Sequence, residues 1–153
     1  MKKALAALAL LLPLALPVNA QEIWTTAMIR SYHSDRSAHF NEQNTGFGFE
    51  YKAKDEDQKV VAGAYNNSYN RLSIYAGKAW LPWSHGNWSA GAIYGLVSGY
   101  PRYKYNLGLL GLGVLQYENG KYGANILVVP PVPDPSGDKP TAVVALQLKM
   151  SYD

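Results

Sequence analysis

The amino-acid sequence predicts an all-β fold: an eight-stranded antiparallel up-and-down transmembrane β-barrel that follows a cleaved signal peptide. Three observations predict it. The chain begins with an export signal, its later apolar stretches follow a two-residue period, and short connections alternate strictly with longer ones. In bacterial barrels this alternation separates the turns at one end from the loops at the other, and an even number of strands closes the sheet.

Residues 1–20 are predicted to be a secretory signal peptide, which leaves residues 21–153 as the barrel domain. Lys2 and Lys3 precede an apolar stretch that runs to Val18, and a small-x-small pattern ends at Ala20. This segment holds two of the 14 basic residues and none of the 11 acidic ones, so the remainder has a net charge of +1. That balance argues against a nucleic-acid partner. The absence of cysteine excludes disulfides and thiol chemistry.

Eight strand-like segments follow the export signal. They are predicted at residues 22–33, 45–53, 60–66, 72–81, 88–99, 105–118, 122–129 and 141–152, with longer connections at 35–44, 66–71, 99–104 and 130–140. The last segment alternates most clearly, with Leu146 and Leu148 on one face and Gln147 and Lys149 on the other. Because a membrane barrel is apolar outside and polar inside, this pattern predicts a lipid-facing side and a lumen-facing side.

The strand pattern leaves two questions open. A soluble β-sandwich or lipocalin-like barrel would give similar runs, although scarce charge and tryptophans near one strand end favour the membrane. These tryptophans are Trp24, Trp80, Trp83 and Trp88. Segments such as 126–129 are apolar on both faces. They indicate either a hollow apolar interior that holds a chain-like ligand or a core packed with side chains.

Polar residues cluster in the first two predicted outer loops, which begin near His33 and Asn66. A histidine is the usual general base for an alcohol, and a neighbouring serine hydroxyl is its usual partner, so His33 is a candidate. On the residues alone, a solvated loop histidine is favoured over a catalytic one. The sequence shows no metal-binding spacing and implies no cofactor.

These loops and the strands beside them resemble the lipid A palmitoyltransferase family. The resemblance covers roughly residues 24–99. It rests on Tyr32-His33, on Asn41-Glu42 followed by Gly46-Phe47-Gly48, and on Asn67-Ser68-Tyr69-Asn70-Arg71 followed by Ala76-Gly77-Lys78-Ala79-Trp80. The family implies an outer-membrane barrel with an apolar interior pocket, which moves an acyl chain from a phospholipid to lipid A.

Carried over by position, the resemblance implies catalytic roles for His33, Asn67 and Ser68 and places Gly77 and Ala79 at the acyl pocket. Asn67 stands where the family has an aspartate, and Ala79 where it has a glycine. An amide cannot stabilise an imidazolium as a carboxylate does, but it can donate a hydrogen bond to a developing oxyanion. The extra methyl of Ala79 shortens the pocket, so we expect an acyl chain shorter than palmitate.

The resemblance thus implies a monomeric outer-membrane acyltransferase whose partners are a phospholipid donor and a lipid A or related acceptor. His33 would act as general base on the acceptor hydroxyl, with Ser68 and Asn67 positioning groups or stabilising the oxyanion. Asp35 or Glu42 would supply the missing negative charge. The alternatives are a non-catalytic barrel that braces the membrane or binds a ligand, and a lipid esterase that uses water as acceptor.

Overall fold

The computed structural model of the protein describes residues 20–53, 57–101, 103, 105–131 and 140–152. Residues 1–19 of the predicted signal peptide and most of the predicted connection at 130–140 lie outside this part of the chain. Within it, eight strands form a closed barrel, and each strand pairs antiparallel with its neighbours in the sequence. The prediction of an all-β, eight-stranded antiparallel barrel is confirmed.

The strands follow one another around the barrel in chain order. They are β1 (Ala20–His33), β2 (Gly46–Ala53), β3 (Gln58–Asn66), β4 (Leu72–His85), β5 (Trp88–Ser98), β6 (Leu107–Asn119), β7 (Tyr122–Val129) and β8 (Val143–Ser151). The pairing of β1 with β8 closes the barrel. We call the end at which His33 terminates β1 the mouth, and the opposite end the base. No helix of the described residues is long and apolar enough to cross a membrane.

The turn between β4 and β5 is tighter than the sequence predicts. The sequence pattern ends this strand at residue 81 and begins the next at residue 88, but β4 continues to His85, which faces Trp88 across two residues. Gly86 in this turn has a φ of 58°. Glycine adopts this left-handed conformation without a Cβ clash, so two residues are enough to reverse the chain.

The outer surface of the barrel is apolar, as the alternation in β2 and β8 predicts. Phe47 is 54% exposed on the outside of β2, whereas Glu50 is 3% exposed on the inside. On β8, Leu148 is 49% exposed and Lys149 is 4% exposed. The other large exposed apolar side chains on the strands are Ile29, Tyr32, Leu72, Ile74, Trp80, Trp83, Trp88, Tyr94, Leu96, Leu107, Leu109, Tyr122, Ile126, Val128, Val144, Leu146 and Met150.

The barrel interior has an apolar layer and, closer to the base, a polar layer. The apolar layer contains Val61, Ala79, Ile93, Val114 and Leu127. The polar layer is a network of side chains that bond to one another, all of them buried except the partly exposed Glu118. Its members are Glu50, Lys59, Gln116, Glu118, Asn125, Gln147 and Lys149. Buried charges are costly unless they are paired. The hydrogen bonds and ion pairs of this network offset the cost of burying its lysine and glutamate side chains.

Trp24 lies inside the barrel, which corrects its predicted place in an aromatic belt. Its side chain is 5% exposed, and the ammonium groups of Lys149 and Lys59 lie 4.7 Å and 6.0 Å from the ring centroid. The ring therefore stabilises two buried cations through its negative face. The sequence shows that Trp24 is close to a strand end, but only strand register decides which side of the sheet it occupies.

Candidate functional site

A β-bulge in β1 directs His33 into the barrel. The pairing of β1 with β8 shifts by one residue between Met28 and Arg30, so Ile29 is an additional residue in the strand. Below the bulge, even-numbered residues such as Met28 face inward. Above it, the odd-numbered Ser31 and His33 are the buried ones, at 6% and 3% exposure. Without the bulge, strand periodicity would turn His33 to the outer surface.

The imidazole of His33 meets the hydroxyl of Ser68 at the mouth. The distance from His33 Nε2 to Ser68 Oγ is 2.8 Å. Ser68 lies in the connection between β3 and β4. The β1–β2 connection contacts this segment, since the backbone N–H of Asn41 donates to the Ser68 carbonyl at 2.9 Å. The structure therefore brings together two of the predicted site residues from different loops.

The carboxylate of Glu42 lies beside His33. The His33 backbone N–H donates to Glu42 Oε1 at 3.1 Å, and His33 Nδ1 is 3.8 Å from the same oxygen. The guanidinium of Arg36 also donates to this oxygen. The hydrogen bond from His33 holds the pKa of Glu42 below its ordinary value, partial burial opposes that shift, and the charge of Arg36 lowers the pKa further. Glu42 is therefore ionised at neutral pH.

Backbone contacts hold the Glu42 segment against β1. The backbone N–H of Ser31 donates to the Glu42 carbonyl at 2.9 Å, and the hydroxyl of Ser31 bonds to the side chain of Asn44. Of the two carboxylates that the sequence left open, Glu42 is thus fixed next to the imidazole. The carboxylate of Asp35 accepts hydrogen bonds from the backbone and hydroxyl of Ser37.

Asn67 is fully buried, and its side chain makes four hydrogen bonds within the mouth. Its amide nitrogen donates to Ser73 Oγ at 2.9 Å and to the Gly99 carbonyl at 3.0 Å. Its oxygen accepts from the backbone N–H groups of Tyr69 and Arg71, at 2.8 Å and 3.1 Å. Both amide hydrogens are in use, so Asn67 shapes the loop that presents Ser68, and its amide is not directed at His33.

Replacing Asn67 with aspartate is expected to lower the free energy of unfolding by about 1–3 kcal/mol. A carboxylate cannot donate to the Gly99 carbonyl, and its charge would be buried. The measurement is urea unfolding in detergent, followed by circular dichroism. Asn70→Asp, an exposed change of the same kind in the same loop, is the control, because the side-chain oxygen of Asn70 accepts a hydrogen bond there and a carboxylate oxygen can do the same. Equal unfolding free energies for the two variants would contradict the assignment.

A row of aromatic rings extends from His33 across the mouth. The ring of Phe40 is 4.8 Å from that of His33, Tyr69 is 5.6 Å from Phe40, and Tyr100 is 6.0 Å from Tyr69, measured between centroids. Rings at these separations pack against one another and exclude water. They give the imidazole an apolar wall on one side, while Glu42 supplies charge on the other.

A cavity of about 50 Å³ lies in the barrel interior between the mouth and the polar network. Its walls are mainly apolar, and they comprise Met28, Glu50, Val61, Tyr65, Tyr75, Ile93, Leu110, Leu112, Leu127 and Gln147. Gly77 and Ala79 face the interior on β4, but neither is among the described residues that line this cavity. Ala79, 3% exposed, packs within the apolar layer. The described part of the interior thus holds a small, mainly apolar space beside the apolar layer.

At the mouth, the imidazole of His33 lies between a hydroxyl and an ionised carboxylate, those of Ser68 and Glu42. His33 Nε2 can take a proton from a hydroxyl, and a proton on Nδ1 would face Glu42, since the buried Nδ1 has no hydrogen-bond partner among the described residues. Catalytic hydrogen bonds are often long before substrate binds, so 3.8 Å is compatible with this role. Within the described residues, no group of three His, Asp or Glu side chains could hold a metal ion.

The other histidines lie in different surroundings. His39 is in the β1–β2 connection with a φ of 51°, and His85 is exposed at the base.

Comparisons with known proteins add nothing to this picture, because no protein-family model matches the sequence and no curated protein matches it.

Proposed function

We propose that the protein is an outer-membrane acyltransferase, which moves an acyl chain from a phospholipid to lipid A or a related lipid. The observation that carries the proposal is the contact of 2.8 Å between Ser68 Oγ and His33 Nε2, with the Glu42 carboxylate on the other side of the same ring. A nucleophile, a base and a third group that orients the base form the usual constellation for acyl transfer.

The apolar outer surface supports a place in the membrane. Large apolar side chains cover the outside of the strands, whereas a water-soluble protein rarely exposes so large a continuous patch. Trp80, Trp83 and Trp88 are exposed on the β4–β5 hairpin, close to the base. Tryptophans are enriched at this depth in membrane barrels, where the apolar core meets the head groups.

In the proposed reaction, Ser68 is the nucleophile, because its hydroxyl is the group that contacts Nε2. His33 takes the Ser68 proton while Oγ attacks the ester carbonyl of the donor, and it passes that proton to the departing lysolipid oxygen. An acyl-serine remains. The acceptor hydroxyl then gives its proton to His33 and attacks the acyl-serine, and the released Ser68 oxygen takes the proton back. Glu42 stabilises the imidazolium at both steps.

The size of the interior cavity supports a donor chain shorter than palmitate. A cavity of about 150 Å³ is known to hold a benzene ring, so a space of about 50 Å³ accepts only a few carbon atoms. The sequence predicts a short chain from the methyl of Ala79. In the structure, the side chains of Tyr65 and Tyr75 limit the space.

A lipid esterase is the second candidate, because Ser68 is only half-buried and water can approach it from the mouth. Mass spectrometry of lipid A and free fatty acids, from cells with and without the protein, separates the candidates. Additional acyl groups on lipid A are expected for the transferase, and free fatty acid alone would indicate the esterase. If neither changes while heat-dependent gel mobility shows a folded barrel, both candidates are wrong.

A further inference from the structure

Two tyrosines connect the Ser68 loop with the interior cavity. Tyr65 is the last inward-facing residue of β3 before that loop, and it lines the cavity. Its hydroxyl lies 2.8 Å from the hydroxyl of Tyr100. Tyr100 directly follows Gly99, whose carbonyl accepts a hydrogen bond from Asn67, the residue next to Ser68. Tyr65 therefore forms part of the cavity roof on the side of the candidate site, and Tyr100 holds it in place through the hydroxyl.

The second tyrosine at the cavity is held against the wall. Tyr75 faces Gly63 across β3 and β4, and a Cβ at Gly63 would lie 2.7 Å from the Tyr75 hydroxyl. The hydroxyl of Tyr75 thus occupies space that only glycine leaves free. The hydroxyl of Tyr65 bonds instead to Tyr100, in the connection that follows β5, and to Ser73. Rotation of Tyr65 breaks these two hydrogen bonds, whereas Tyr75 is enclosed by the strand backbone at Gly48 and Gly63.

We propose that the Tyr65–Tyr100 pair determines which acyl chain length the barrel accepts. The proposal rests on the proposed acyl-transfer function and names the substrate range of the same site. While the pair is closed, the cavity below it holds only a few carbon atoms. A longer chain that enters from Ser68 must separate the two hydroxyls and displace the Tyr65 ring. Short chains are therefore the preferred ligands.

The test is the binding of free fatty acids, which does not require transfer. The apparent Kd values of hexanoate and hexadecanoate are measured in detergent from the rise in thermal unfolding midpoint with ligand concentration. The wild-type protein is expected to bind hexanoate more tightly. Tyr65→Ala removes a ring and opens the roof, so the ratio of the hexadecanoate Kd to the hexanoate Kd should fall by about tenfold or more.

Two further variants make the result decisive. Tyr94→Ala removes an exposed ring from the outer face of β5 and should leave the ratio at the wild-type value, which accounts for effects of fatty acid on the micelle. Tyr65→Phe keeps the ring and loses the hydrogen bonds of the hydroxyl, and it should lower the ratio by a smaller factor. It replaces Tyr65→Ala if that variant does not fold.

An unchanged ratio in the folded Tyr65 variants would overturn the proposal. Its failure is distinguishable from failure of the proposed function. If the ratio falls as expected but no variant transfers an acyl chain, the acyltransferase function is wrong and the tyrosine pair still sets ligand length. If the protein transfers acyl chains but the ratio does not move, the function stands and the role of the pair is wrong.

Discussion

Replacing His33 with alanine is expected to lower the rate of the proposed acyl transfer by about 10²- to 10⁴-fold, the usual contribution of a general base. The imidazole is buried, and its Nε2 lies 2.8 Å from Ser68 Oγ. The variant loses the imidazole nitrogen that can accept the Ser68 proton. The measurement is the transfer rate from a defined phospholipid to lipid A, with the protein reconstituted in vesicles.

The matched control is His85→Ala, because His85 is an exposed histidine at the base. It should keep the wild-type rate. Ser68→Ala should lose as much activity as His33→Ala, and the double variant should lose little more, because residues that act as a unit are not additive. Full activity of either single variant, in a folded barrel, would remove these residues from the mechanism.

Replacing Lys149 with methionine is expected to destabilise the barrel by about 3–5 kcal/mol, since it leaves a buried charge without its partner. The side chain of Lys149 is completely buried, and its ammonium lies 2.6 Å from Glu50 Oε2 and 2.6 Å from Glu118 Oε1. Urea unfolding in detergent, followed by circular dichroism, gives the free energy. Lys121→Met, an exposed change in the β6–β7 turn, should stay within about 0.5 kcal/mol of wild type.

The double variant Lys149→Met with Glu50→Leu separates the cost of an unpaired charge from the loss of packing. It should recover part of the lost stability, because it removes the carboxylate that the single variant leaves uncompensated. Glu118 keeps its second partner, Lys59, at 2.6 Å. If the single variant unfolds like the wild-type protein, the polar layer does not stabilise the barrel in the way described.

The sequence was sufficient for the architecture because the information lies in local alternation. From Phe47 in β2 and from Val144 in β8, large apolar residues alternate with small or polar ones, so the two faces of each strand can be assigned before any partner is known. The number of strands follows from counting such segments and their turns. The exact ends were less predictable. β4 runs to His85 because the flanking residues continue to pair until the left-handed Gly86.

The candidate site was predictable only in part. The residue types and the resemblance indicated His33 and Ser68. A bulge at Ile29, however, decides that His33 points inward, and the sequence analysis did not predict that bulge. The resemblance placed Asn67 among the catalytic residues. The structure gives it four hydrogen bonds within the mouth and puts the ionised carboxylate of Glu42 beside the imidazole.

The sequence by itself determined the strand number, the antiparallel order and the faces of the regular strands, because a two-residue period is a property of consecutive residues. Only the tertiary structure decided that Trp24 turns inward, that Glu42 borders His33, and that tyrosines restrict the cavity. Those outcomes depend on register shifts and on contacts between loops. Such contacts join residues that are far apart in the chain. A pattern of consecutive residues therefore does not predict which of them come together in space.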